Sequence, residues 1–208
     1  MSLQPFTVHT GVAAPFLQAN IDTDAIIPSQ EMKLVSKQGL GEGLFAAWRY
    51  KLPGGREPNP DFILNQDAYR NTSILLGGSN FGCGSSREHA VWALAEYGIR
   101  TIIAPGFGSI FYNNCIGNGV LPVVLPEAAI QALASACETN PQHQQITVDL
   151  DKLRVTSPDG SEFEFQIEAN ARIMLLNGLD TIGATERYAA QIDAFEEADR
   201  TNRNWAYL

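Results

Sequence analysis

Ser73-Ile-Leu-Leu-Gly77-Gly-Ser-Asn-Phe-Gly82-Cys-Gly84-Ser-Ser-Arg87-Glu-His-Ala90 reads as a strand, a glycine turn and the start of a helix. Ser73 to Leu76 is short, apolar and bounded by glycine, the pattern of a buried strand. Gly77 to Gly84 is the turn. Ser86 to Tyr97 has helical spacing, with Val91, Leu94 and Ala95 on one face. Outward from there the pattern repeats: strand Arg100 to Ala104, helix Ser109 to Ile116, strand Leu121 to Leu125. A further helix spans Pro126 to Thr139, with proline at the first helical position. Strand and helix in alternation predict an α/β core with right-handed crossovers.

The flanks are less regular. Phe6 to Phe16 is β-like and runs into a polar turn, Asn20-Ile-Asp-Thr-Asp24. Ala25-Ile-Ile-Pro28 reads as a short apolar strand closed by proline. Gly39, Gly41 and Gly43 stand among charged residues between Glu31 and Gly43, the composition of a mobile loop. Leu44 to Tyr50 suits a short helix, and Pro53 to Pro60 is irregular. Ile146 to Ile167 predicts two alternating strands joined by the hairpin signal Ser157-Pro-Asp-Gly160. From Asn170 the chain is mostly helical, broken near Asn177-Gly178, and it holds no internal repeats.

Composition narrows the function classes. With 208 residues, 45% hydrophobic and 18% charged, the chain can bury a core without staples. A formal charge of -9 argues against nucleic acid or an anionic membrane as partner, since both need a basic face. Any anion site must then be built locally from arginine and backbone amides. Cys83, Cys115 and Cys137 are odd in number and form no Cys-x-x-Cys pair, which points to a reducing compartment. Met1 to Thr10 has neither a basic nor an apolar leader region, and the longest apolar runs, such as Val120 to Leu125, are far too short to span a bilayer. A cytoplasmic protein is expected.

The glycine turn carries the chemistry. Glycines free the main chain for close approach, and a helix N-terminus with unsatisfied amides favours an anion. Arg87, read as lying in the first helical turn, is poorly placed against the dipole unless an anion is bound beside it. Ser85 and Ser86 add hydroxyls at the same point. A purely structural reading competes: Ser85 to Glu88 fits a capping box, Ser85 as N-cap and Glu88 three residues on. Two phosphate-binding motifs fail. No lysine stands between Gly77 and Ala90, and Gly82-x-Gly84 has Arg87 where a dinucleotide fingerprint needs glycine.

Gly82-Cys-Gly-Ser-Ser-Arg-Glu-His-Ala90 resembles the signature of the swivelling domain of the aconitase superfamily. Asn20-Ile-Asp-Thr-Asp-Ala-Ile-Ile-Pro28 resembles that domain's opening motif. Phe107-Gly-Ser-Ile-Phe-Tyr-Asn-Asn-Cys115 with Gly119-Val-Leu-Pro122 resembles its third block. Leu176-Asn-Gly-Leu-Asp-Thr-Ile-Gly183 is similar to the closing block of the superfamily's isopropylmalate branch. The blocks fall in order and cover most of the chain.

The resemblance implies a swivelling β/β/α domain, its mixed, largely parallel sheet flanked by helices. One such domain would span residues 1–208, core about 5–168, with a helical extension from about 170. It implies a hydro-lyase interconverting 2-isopropylmalate and 3-isopropylmalate through isopropylmaleate, in leucine biosynthesis. By carry-over Ser85 is the catalytic base and Arg87 binds a substrate carboxylate. Ser86 and Gly84 lie at the same substrate site, and Asp24 is an active-site aspartate, against its alternative as a turn stabiliser. The [4Fe-4S] cluster that takes the hydroxyl is expected on a large aconitase-like subunit, in a heterodimer or heterotetramer, and no metal is expected in this chain. His89 suits a supporting or a structural role, while His9 and His143 read as surface residues. Specificity would fall to the loop Met32 to Gly43, where Leu34, Val35 and Leu40 can line an apolar pocket. Many isopropylmalate enzymes have Val-x-Arg-Thr-Gly where this chain has Val35-Ser-Lys-Gln-Gly39. Citramalate or a dimethylmalate therefore remains an alternative substrate, and a non-catalytic binding module of the same fold an alternative role.

Overall fold

The computed structural model describes residues 3–32, 38–84 and 87–207. One seven-stranded mixed sheet organises them, in the order β4-β3-β2-β1-β5-β6-β7. Its parallel half comprises β1 (Val8–Phe16), β2 (Thr72–Gly77), β3 (Thr101–Ala104) and β4 (Leu121–Val124). Its antiparallel half continues from β1 into β5 (Ile146–Asp149), β6 (Arg154–Thr156) and β7 (Glu162–Glu164).

The parallel strands are buried on both faces, so they read as continuous apolar runs rather than alternating ones. Leu75 and Ile102 point into one core layer, whereas Ile74, Leu76 and Ile103 point into the other. The first layer packs under α1 (Thr23–Ile26), α2 (Ala46–Arg49) and α3 (Glu88–Tyr97). The second packs under α5 (Glu127–Glu138) and α6 (Ala169–Asn177). Between them α4 (Ser109–Gly117) gives Phe111 and Cys115 to the first layer and Ile116 to the second. Two further helices, α7 (Thr181–Glu186) and α8 (Ala189–Asn202), bury no residue.

Three expectations need correction, and a fourth, the mobile loop between Glu31 and Gly43, is tested only at its ends, since residues 33–37 lie outside the described ones. Ala25-Ile-Ile-Pro28 is not a strand. Asp22 Oδ1 accepts the Ala25 amide at 2.7 Å, a side-chain cap that turns Thr23 to Ile26 into one helical turn before Pro28 forces Ile27 extended. Ile146 to Ile167 holds three strands. A second turn hides in Asp149 to Leu153, where Asp149 Oδ1 accepts the Lys152 amide at 2.8 Å and Leu153 takes φ +55. Pro126 stands one residue ahead of its helix, as an extended N-cap. The loop from Glu31 is tied at both ends. Glu31 pairs with Arg56 at 2.6 Å, and Glu96 accepts the amides of Gly39 and Gly41 at 2.6 and 2.7 Å.

His9 is not a free surface residue. It is half-buried, with Nε2 2.8 Å from Ser73 Oγ across the β1–β2 pair. Burial, then the nearby Arg100 cation, holds its pKa below the usual 6.5. The unfolded chain therefore binds the proton more readily, and stability rises with pH. The His9 contribution is complete above pH ~6.5 and is lost as pH falls through that value toward the lowered pKa. A His9→Gln variant should show a flatter decline of urea midpoint with acidification between pH ~7 and ~5.

Candidate active site

Parallel strands that end together leave their loops together, and a crevice forms beyond their carboxyl ends. Here three loops meet there. The Asn20 amide donates to Ser79 O at 2.8 Å, Gly82 N to Ile21 O at 2.7 Å and Thr23 N to Cys83 O at 3.0 Å. On the other side Phe81 N donates to Gly106 O and Gly108 N to Phe81 O, both at 2.9 Å. The opening motif after β1, the glycine turn after β2 and the third block after β3 are thus stitched edge to edge by main-chain bonds. Sequence alone showed three blocks. The fold makes them one surface.

Glycine is required where these segments touch. Gly82 takes φ +69, and a Cβ there would meet the Phe111 ring at 2.2 Å. Phe111 is buried, so the ring has no room to swing away. Gly82→Ala combines left-handed strain with overpacking and should cost about 3 kcal/mol of stability. Urea unfolding of the isolated chain measures it; a loss under ~1 kcal/mol would mean that the turn relaxes freely.

Arg87 is the N-cap of α3, with extended φ -109 and ψ 101, rather than a residue of its first turn. The helix starts at Glu88, so Glu88 cannot stand three residues after the cap as a capping box requires. Its carboxylate instead accepts from Asn118 Nδ2 at 2.9 Å, a brace between the start of α3 and the end of α4. The Arg87 guanidinium donates to Asp24 Oδ1 in a close ion pair, with the two side chains 27% and 54% exposed. Asp22, not Asp24, is the turn stabiliser of the opening motif. That leaves the Asp24 carboxylate facing Arg87.

The remaining candidates divide. Gly84, at φ +89, lies in the same turn as Gly82 and packs toward Asp22. Ser85, Ser86, Leu34 and Val35 lie outside the described residues. Leu40 is 2% exposed in the first core layer and also lines a cavity of about 350 Å³ with Glu31, Gly39 and Arg56. His89 lies against Trp92, ring centroids 4.7 Å apart, and His143 is exposed. Trp48 and Trp92 pack on the first layer, while Trp205 is exposed. A cavity of about 320 Å³ opens beside Asp24, lined also by Pro28, Ala46, Ala47 and Pro53. A larger groove of about 850 Å³ runs along Trp92, Asn114, Asn118 and Asp180, and neither Asp24 nor Arg87 lines it. Glu96, which clasps the glycine loop, gave no sequence signal, because its partners lie 55 and 57 positions away.

The three thiols do not fit a shared iron–sulfur cluster. Cys115 is in the first core layer and Cys137 in the second, on opposite faces of the sheet. A ligand must be a thiolate, yet burial pushes the Cys115 thiol well up and Cys137 up to about 11. Among the described residues no three His, Cys, Asp or Glu side chains gather closely enough to hold a metal ion.

The aconitase C-terminal domain family matches residues 3–128, the span that contains all three stitched loops. The chain belongs to this family. A second family, LeuD_N, matches residues 131–169. The chain is 60% identical over 206 residues to the 3-isopropylmalate dehydratase small subunit of Cupriavidus necator, covering 99% of both chains. It is 50% identical over 204 residues to the protein of that name from Rhodospirillum centenum, covering 98% of this chain and 99% of the relative. Among solved structures, a 3-isopropylmalate dehydratase from Methanocaldococcus jannaschii aligns with a TM-score of 0.66 and 25% identity, over 90% of this chain and 99% of that one. The family assignment accounts for the mixed sheet and for the order of the motif blocks.

Proposed function

We propose that this chain is the small subunit of a cytoplasmic hydro-lyase that interconverts 2-isopropylmalate and 3-isopropylmalate, working with a larger aconitase-like subunit. The observation that carries it is the Asp24–Arg87 pair at the start of α3, where the three motif loops converge. The relatives, 3-isopropylmalate dehydratase small subunits, support the substrate and the two-subunit division. No helix among the described residues is long and apolar enough to cross a membrane.

Arg87 receives one substrate carboxylate, its fork replacing the contact with Asp24. Ser85 takes the proton from the carbon next to a carboxylate and returns it on re-addition; Ser86 and Gly84 are assigned to the same substrate site. A serine alkoxide is a strong base, so its formation depends on the helix amides and the adjacent guanidinium. Asp24, released from Arg87, remains beside the reacting end. The alkyl substituent lies against the apolar side, near Pro28 and Ala47, and Leu34 and Val35 are the loop residues assigned to contact it. The Lewis acid for the hydroxyl is a [4Fe-4S] cluster on the larger subunit.

Steady-state rates of the reconstituted pair on 2-isopropylmalate, citramalate and a dimethylmalate test this reading. Turnover should be fastest on isopropylmalate and absent from either subunit alone. A tenfold or greater preference for citramalate or dimethylmalate would reassign the substrate, and turnover by this chain alone would end the division of labour.

A further inference from the structure

Helix α3 begins at Glu88 without a side-chain cap, since Arg87 at the cap position makes no hydrogen bond of that kind. An uncapped first turn frays, because its amides have no partner within the helix. The Arg87–Asp24 contact requires that turn to stay in one place. Asn118, 30 positions beyond Glu88, holds it there.

Asn118 is the C-cap of α4, just ahead of Gly119 at φ +74, an ordinary helix stop. Its side chain does more. Oδ1 accepts Trp92 Nε1–H at 3.0 Å, and Nδ2 donates to Glu88 Oε1 and to Asn114 O, both at 2.9 Å. Glu88 and Trp92 stand one turn apart on the same face of α3, so one carboxamide grips two consecutive turns. Its two donors and its acceptor are all used. Aspartate has the same shape but no donor, and would set a second carboxylate against Glu88. Glu88, Trp92 and Asn118 line the groove of about 850 Å³, which neither Asp24 nor Arg87 lines. Asn118 therefore acts from behind the crevice.

We propose that Asn118 is a positioning residue for Arg87. Through Glu88 and Trp92 it fixes the first turn of α3, and with it the place where the guanidinium meets a substrate carboxylate. This rests on the carboxylate-binding role of Arg87 given above. The contribution is preorganisation, since an arginine already held in place loses less freedom when the carboxylate arrives.

The test begins with Glu88→Ala in the reconstituted pair, which removes the brace at an exposed position. Charge and positioning then predict opposite signs. Deleting an anion beside the site of a dianion would by itself lower KM. Losing the brace should raise KM for isopropylmalate ~10-fold, with kcat within ~2-fold of the parent. Asn118→Asp should raise KM at least as much. The double variant Asn118→Asp with Glu88→Gln keeps the net charge and restores a hydrogen bond with donor and acceptor exchanged, so its KM should return to within ~3-fold of the parent. In an Arg87→Ala background Glu88→Ala should change KM less than ~2-fold, because the group it positions is gone.

An unchanged or lowered KM in Glu88→Ala overturns the proposal, and so does a full ~10-fold effect in the Arg87→Ala background. Should Asn118→Asp fold poorly, these two results still decide. The free chain adds a readout that needs no substrate: the ¹⁵N order parameter of Arg87 Nε should fall by ~0.2 in Glu88→Ala. An unmoved order parameter sinks the positioning role alone, even in a pair that turns over isopropylmalate. A parental pair idle on isopropylmalate, with the order parameter falling as expected, sinks the substrate reading alone.

Discussion

Replacing Ser85 with alanine in the assembled complex should lower kcat about 10³-fold, with KM for isopropylmalate changed by no more than ~3-fold. The argument is one of differential binding. Arg87 and the helix amides still hold the carboxylate, so the ground state is bound as before. What disappears is the oxygen that accepts the proton. Asp24 is a carboxylate in the right region, but it is engaged with Arg87 in the free chain. His89 is packed on Trp92. The measurement needs saturating larger subunit, so that a docking defect is not mistaken for a chemical one. Undiminished turnover would move the chemistry wholly to the partner and reduce this chain to a binding module.

The regular half of the chain was legible for a physical reason. β2, α3, β3, α4, β4 and α5 follow one another at short range, and each is announced by an apolar run, a glycine or a proline. The misreadings fall where the deciding contact is a single hydrogen bond. Ala25-Ile-Ile looks like a strand because β-branched residues precede a proline. The Asp22 cap, worth about 1 kcal/mol, tips the preceding residues into a helical turn. Asp149 to Leu153 lacks glycine, proline and asparagine, so the turn between β5 and β6 is marked in composition only by Asp149 and Asp151. At the site, the motif residues were legible and their convergence was not. The Ser79–Asn20 and Phe81–Gly106 contacts join residues far apart in sequence through main-chain atoms, which leave no trace in side-chain identity. The start of α3 was misplaced because serine is a better cap than arginine by propensity. An arginine at the cap gives up that advantage to project its guanidinium at Asp24.

Arg87→Ala is expected to reduce kcat/KM about 100-fold, equivalent to ~2.7 kcal/mol of lost transition-state binding. Most of the loss should appear in KM. Two effects add. The substrate carboxylate loses a bidentate partner, and Asp24 becomes an unpaired anion beside an incoming dianion. Folding should be nearly untouched, because the pair is partly open to water and contributes less than ~1 kcal/mol. Arg87→Lys separates charge from geometry. It keeps the cation but loses the planar fork, so it should recover about tenfold of the deficit and no more. Salt provides an independent check: raising ionic strength from ~0.05 to ~0.5 M should increase KM for the parent more steeply than for Arg87→Ala. If the alanine variant keeps the parental KM and loses only Tm, the Asp24–Arg87 pair is a structural clasp and the carboxylate is held elsewhere.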